Sequence, residues 1–306
     1  MPSAAAEAWI AALPAFSERP FPPAAADLEA WQAWQARAEK QGQLRSAAVI
    51  KALAATNAVT VEPMDEAGAA IRIIPAIHDM NGLQLAFLHG GGFTAFSAAS
   101  TLFAAAPLAS RLGVDVISID YPKAPFSTCL EIVETTCARL LPHLNNRTIL
   151  VGDSAGGGLA LATIQRLKTQ GSQLPAALIL WSPWVDMTAN DPSADDPVLR
   201  YKDDLEICAA CYAGTLPHDD PIASPLMGTF GPWHPPTLIQ AGEREIFLPS
   251  LRRLMTKMTA AGADCSLQVT EGLFHSFVAL AYELPESEKA IANIRRFIDG
   301  VIGSHG

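Results

Sequence analysis

"RTILVGDSAGGGLALATIQRLKTQG" (147–171) sets one serine, Ser154, between two glycines, after one apolar run and before another. Residues 147–152 read as a strand, and the run that follows reads as a helix closed by Gly171. A strand that turns sharply into a helix strains the intervening residue and points its side chain outward. Gly152 and Gly156 relieve the crowding around it. The helix begins at the serine, so its N-terminal N–H groups and dipole face any developing negative charge. The same letters also fit a tight turn with an incidental serine. A base, an acid and an oxyanion hole must therefore come from the rest of the chain, in a consistent order.

Outward from this stretch the strand–helix rhythm repeats. "VTVEP" (59–63) and "AAIRIIPA" (69–76) alternate across "MDEAG" and predict an antiparallel hairpin. "LQLAFLH" (83–89), "DVISIDY" (115–121), "AALILWSPWV" (176–185), "TLIQAG" (237–242) and "CSLQVTEG" (265–272) complete the strand set. Helices are expected at about 27–42, 102–112, 129–144, 249–261 and 287–300. Alternating strands and helices imply an α/β fold, a mostly parallel sheet covered on both faces, with the hairpin at one edge. Two regions break the rhythm: the first fifty residues, and a segment between Val185 and Thr237 that is long for an ordinary connection. The second carries a helix near 203–213 and many prolines. Such insertions above a sheet are usually functional, and a cap over a pocket is the expectation.

The 306 residues are 50% hydrophobic, enough for one large core and one domain with insertions. The net charge of -10 opposes a phosphate backbone, so no nucleic-acid partner is expected. No charge-free apolar run is long enough for a membrane span. The opening "MPSAAAEAWIAALPAF" lacks a basic leading region, so it is read as part of the mature chain and the location as cytoplasmic. The five cysteines are odd in number and scattered, which argues against a disulfide framework. Cys208 and Cys211 form C-x-x-C without two further ligands at sensible spacing. They are read as small apolar residues on a helix, and no metal site is expected.

In a parallel sheet the reactive residues follow the carboxyl ends of strands. "HGGGF" (89–93) follows one such end, and its glycines let backbone N–H groups turn inward. Gly91 and Gly92, with the Ala155 N–H, are the expected oxyanion donors. His89 is expected to orient that loop and not to act as the base. Of the seven histidines, only His275, in "EGLFHSFV", lies just past the last strand. His78, His143, His218, His234 and His305 sit in the hairpin region, a helix tail, the insertion and the terminus. The acid should follow another strand end between serine and histidine. Glu245, Glu243 and Asp186 all qualify.

"HGGGF", "GDSAGGG", "WSPWVDMT", "PPTLIQAGEREIFL" and "GLFHSF" together resemble the bacterial hormone-sensitive-lipase-like esterases, the GDXG family of the α/β-hydrolase superfamily. The resemblance covers about residues 60–300. It implies an α/β-hydrolase fold with an eight-stranded sheet and a helical cap, and a serine carboxylesterase of short to medium acyl esters, lactones included. It implies Ser154 as nucleophile, His275 as base, Glu245 as acid, and Gly91, Gly92 and Ala155 as oxyanion donors. It also implies a cap built from residues 1–50 and an insertion at about 187–235, on a catalytic domain of 51–306. No cofactor is implied, the partner is a small-molecule ester, and relatives of this kind often form homodimers. An amide or formamide hydrolase on the same triad, or a non-catalytic ligand-binding protein of this fold, are the alternatives. The full histidine motif favours an enzyme. One departure is "YPKAPF" (121–126), where many members read Y-R-L-A-P-E.

Overall fold

The structure, a computed structural model, describes residues 1–18, 20–56, 58–65, 68–80, 82–188, 195–199 and 203–303. Residues 66–67 of the expected hairpin connection, parts of the expected insertion at 189–194 and 200–202, and His305 lie outside the described residues. In chain order the helices are α1 (Ala4–Ala11), α2 (Leu28–Ala54), α3 (Leu102–Leu112), α4 (Cys129–Leu140), α5 (Ala155–Thr169), α6 (Asp203–Ala213), α7 (Leu248–Ala260), α8 (Phe277–Leu280) and α9 (Pro285–Gly303). The strands are β1 (Val59–Pro63), β2 (Ala70–Pro75), β3 (Gln84–Leu88), β4 (Asp115–Ile119), β5 (Thr148–Asp153), β6 (Ala177–Trp181), β7 (Thr237–Gly242) and β8 (Cys265–Thr270).

The eight strands form one sheet in the order β1-β2-β4-β3-β5-β6-β7-β8. β1 pairs antiparallel with β2, and β2 antiparallel with β4. Every other pairing is parallel. The mostly parallel sheet with an antiparallel edge is thus borne out. Side chains alternate between the two faces, as the pleat requires. Leu150, Leu178 and Leu180 pack with α4, α5 and α7 on one face. Ile149, Val151, Ile179 and Trp181 pack with α3 and α9 on the other. Central strands with both faces buried read as continuous apolar runs, which is why they were legible.

Local signals set several boundaries. Thr128 and Glu131 form a reciprocal capping box at the start of α4. Gly113 ends α3 in the left-handed conformation at φ 64°. At α2 the expectation fails: the helix does not stop at Gly42 but runs on to Ala54. A Cβ on Gly42 would lie 2.7 Å from the Ser100 carbonyl oxygen, so this glycine serves close packing within the helix and not its termination. The short α1, capped by Ser3, was not expected from the letters at all.

Candidate active site

The sheet's carboxyl ends carry the site. β5 ends at Asp153, and Ser154 adopts φ 52°, ψ -117°, a conformation L-residues rarely hold. Its N–H is fixed to the Trp181 carbonyl at 2.8 Å, across from the adjacent β6. α5 begins at the next residue, so the Ala155 N–H is among those with no carbonyl partner inside the helix. The glycines after it have a packing cause. A Cβ on Gly156 would run into the Leu88 carbonyl, and one on Gly158 into that of Trp184. The elbow therefore sits directly against the ends of β3 and β6.

His275 lies in the loop after β8, and its Nε2 is 2.8 Å from Ser154 Oγ. Burial pushes the imidazole pKa down to about 3, so the ring is neutral at pH 7 and able to take a proton. Its other nitrogen, Nδ1, is buried without a hydrogen-bond partner, and so is Glu245 Oε1. Glu245 is reached from the same loop through Ser182. The Ser182 hydroxyl donates to Glu245 Oε2 and accepts the Ser276 N–H at 2.9 Å. The Gly242 N–H also donates to Oε2, at 3.3 Å. Burial raises the Glu245 carboxyl well above its ordinary pKa, and the Ser182 hydrogen bond works against that rise. Among the described residues no hydrogen bond joins Glu245 to His275. The other two acids are engaged elsewhere: Asp186 pairs with Arg253 at 2.9 Å, and Glu243 accepts the Gly272 N–H at 3.0 Å.

The glycine loop, expected to supply oxyanion donors, follows β3. Gly91 and Gly92 have φ of 125° and 63°, and both line the same cavity as Ser154 and His275. His89 is fully buried below them. Its Nδ1 lies 2.7 Å from the Gly90 carbonyl and its ring stacks on Tyr121 at 4.3 Å. Tyr121 in turn donates to the His89 carbonyl at 2.7 Å. In the divergent "YPKAPF" stretch, Lys123 donates to Asp120 at 2.9 Å and lies over the Tyr121 ring. The unusual letters thus support the loop from behind.

The cavity measures about 570 Å³. Its walls come from Pro14, Phe16 and Pro22, from Trp34, Ala38 and Gln41 of α2, and from Leu199, Leu205 and Cys208 on the far side. Of the aromatic residues on and around these segments, Phe16 and Trp34 line the cavity. Trp9 instead stacks on Phe274 at 4.4 Å, Trp31 is fully buried, Tyr212 stacks on Phe93, and Phe21 is exposed. Cys208 and Cys211 are both buried on α6, with thiols pushed up to about 12 and about 11 by burial.

Two supporting residues were missed in the sequence. Ser182 sits at φ 44° just past β6, and only the Ser-Pro after a strand end marks it. Asp196 is buried and accepts the N–H groups of Val198 at 2.9 Å, Leu199 at 3.4 Å and Ile246 at 3.4 Å. The His275 N–H faces it as well. It ties the far wall of the cavity to the residue after Glu245. In the letters it is one of several acids in a polar stretch, and nothing singles it out.

Comparison with known proteins gives the family. A family model described as the alpha/beta hydrolase fold matches residues 85–279. An esterase from Acinetobacter venetianus is 32% identical, over 78% of this chain and 82% of its own. An acetyl-hydrolase from Streptomyces hygroscopicus is also 32% identical, over 75% and 79%. Among solved structures, an esterase of the bacterial hormone-sensitive lipase family superposes with a TM-score of 0.72 at 32% identity, covering 80% of this chain and 86% of that one. The chain belongs to the hormone-sensitive-lipase-like esterases of the alpha/beta hydrolase fold, and it is a carboxylic ester hydrolase.

Proposed function

We propose that the protein hydrolyses short to medium acyl esters, lactones included, through an acyl-enzyme on Ser154. The observation that carries this reading is the 2.8 Å contact between Ser154 Oγ and His275 Nε2 in the wall of a largely apolar cavity. Neutral His275 takes the hydroxyl proton as Ser154 Oγ bonds to the ester carbonyl carbon, and the carbonyl electron pair moves onto oxygen. The N–H groups of Gly91, Gly92 and Ala155 receive that oxyanion, each contributing about 3 kcal/mol in the transition state. The intermediate collapses, the carbon–alkoxide bond breaks, and His275 gives its proton to the leaving alcohol. Water then attacks the acyl-enzyme with His275 again as base. The second collapse returns the proton to Ser154 and releases the acid.

Glu245 acts as the acid that orients His275 and stabilises the imidazolium. Its free Oε1 and the unpartnered His275 Nδ1 support that pairing. Residues 1–50 and about 187–235 form the cap over the 51–306 catalytic domain, a reading supported by the cavity walls they supply. The decisive experiment is Ser154→Ala assayed on p-nitrophenyl butyrate. We expect a loss of at least a thousandfold in kcat, together with loss of fluorophosphonate labelling. Activity near the wild-type level would overturn the assignment.

A further inference from the structure

The cavity wall beside Ser154 holds two polar side chains that the mechanism above does not use. Asp153 is 7% exposed and Ser276 3% exposed, and both line the cavity. Asp153 Oδ1 and the Ser276 hydroxyl are buried, and neither makes a hydrogen bond of proper geometry. They face one another closely enough for the serine to lower the aspartate's pKa. A buried polar group left unsatisfied is costly, so a pair of them beside a reacting centre points to an absent partner.

The backbone has been shaped to keep both in place. Ser276 sits at φ 54°, ψ 31°, the left-handed region where glycine would be free of strain. A side chain stands there, on a residue that lines the cavity. On the opposite side, a Cβ on Gly90 would lie 2.6 Å from Asp153 Oδ2 and 3.2 Å from Ser154 Cβ. The first glycine of the "HGGGF" loop therefore makes room for the Asp153 carboxyl. Phe87, Phe103, Ala104 and Leu280 add apolar lining to the same cavity. Burial also raises the Asp153 carboxyl to about 7, so near neutrality a large share of it is protonated and can donate as well as accept.

We propose that Asp153 and Ser276 form a polar subsite that recognises a hydroxyl group on the substrate, a few atoms from the scissile carbonyl. The proposal rests on the esterase reading and adds the substrate class: hydroxylated esters, favoured over plain ones. A hydroxyl supplies both a donor and two acceptor sites, matching a carboxyl on one side and a hydroxyl on the other. A plain chain leaves the two groups with only one another, and discrimination follows from the donor and acceptor capacity left unused.

Three matched substrates test this in a pH-stat assay: ethyl butyrate, ethyl 3-hydroxybutyrate and 2-hydroxyethyl butyrate. The last two place the hydroxyl on the acyl or the alcohol side. We expect one of them to exceed ethyl butyrate in kcat/KM by on the order of tenfold or more. That ratio should fall toward one in Asp153→Ala and in Ser276→Gly. The glycine variant removes the hydroxyl while relieving the left-handed strain, so it tests the subsite in a protein that folds. Ethyl butyrate turned over as well as both hydroxylated esters overturns the subsite and leaves the esterase reading standing. A preference that survives in both variants overturns it equally. Hydrolysis of none of the three overturns both readings.

Discussion

Ser182 binds Glu245 through its hydroxyl and the His275 loop through its oxygen, so one small side chain ties the Glu245 loop to the His275 loop. Ser182→Ala frees both, and we expect kcat on p-nitrophenyl butyrate to fall about 10–100-fold with a small change in KM, as for loss of a hydrogen bond that positions a catalytic group. Unchanged kcat would show that the loops hold their spacing without it. Asp153 makes a second prediction at this scale. Its carboxyl is raised from 3.8 to about 7 by burial, with Ser276 acting against the rise. A raised folded-state pKa contributes stability that is full below the ordinary carboxylate range and is lost as pH climbs through 7. Asp153→Asn keeps the shape without the titration. Its Tm relative to wild type should therefore increase between pH 5 and pH 8, at roughly 2 °C or more per kcal/mol. A difference that stays constant over that range would contradict the buried titration. At residue scale the letters singled out Ser154 and His275, which meet at 2.8 Å, because each follows a strand end beside glycine. They hid Ser182 and Asp196, whose roles come from hydrogen bonds across 63 and 50 positions of chain.

Among the elements, the central strands were legible because burial on both faces makes them uniformly apolar. α2 was misread for a different reason. Glycine has two uses near helices, as a stop and as a place where something comes close, and the sequence does not say which. Gly42 is the second kind, lying against Ser100 of the loop that leads into α3. Gly42→Ala decides between them. In an exposed helix the change would stabilise by up to about 1 kcal/mol. Here the added methyl meets a backbone carbonyl, so we expect a lower Tm by differential scanning calorimetry. A rise would mean that α2 is free to shift. α1 was missed because its turns hold mostly alanine, with no clear apolar stripe. Its place is secured from outside, by Trp9 on Phe274 and by Ser3 to Glu286. Trp9→Ala removes the stack next to His275, and should lower both Tm and kcat.

Over the whole molecule, the net charge of -10 produces a field that repels anions. An ester carrying a free carboxylate should therefore gain in kcat/KM as salt rises from about 10 to 200 mM, which shortens the Debye length to under 10 Å. A neutral ester of equal size should not respond. Equal salt dependence for the two would locate the charge far from the entry path. The global plan was legible because a parallel sheet leaves a rhythm along the entire chain; beyond the two segments that break it, the side chains of the cavity walls were not. They are assembled from segments that share no period and touch only in space.

That separation bears on how such a protein changes over evolutionary time. The elbow is fixed letter by letter, because at Gly156 and Gly158 even a methyl would strike the backbone of a neighbouring strand end. Many of the residues that line the cavity, among them Pro14, Phe16, Trp34, Leu199 and Leu205, lie outside the sheet. Selection can rewrite the second set without disturbing the first. Related sequences should therefore diverge fastest where they meet the ligand and slowest where they break it.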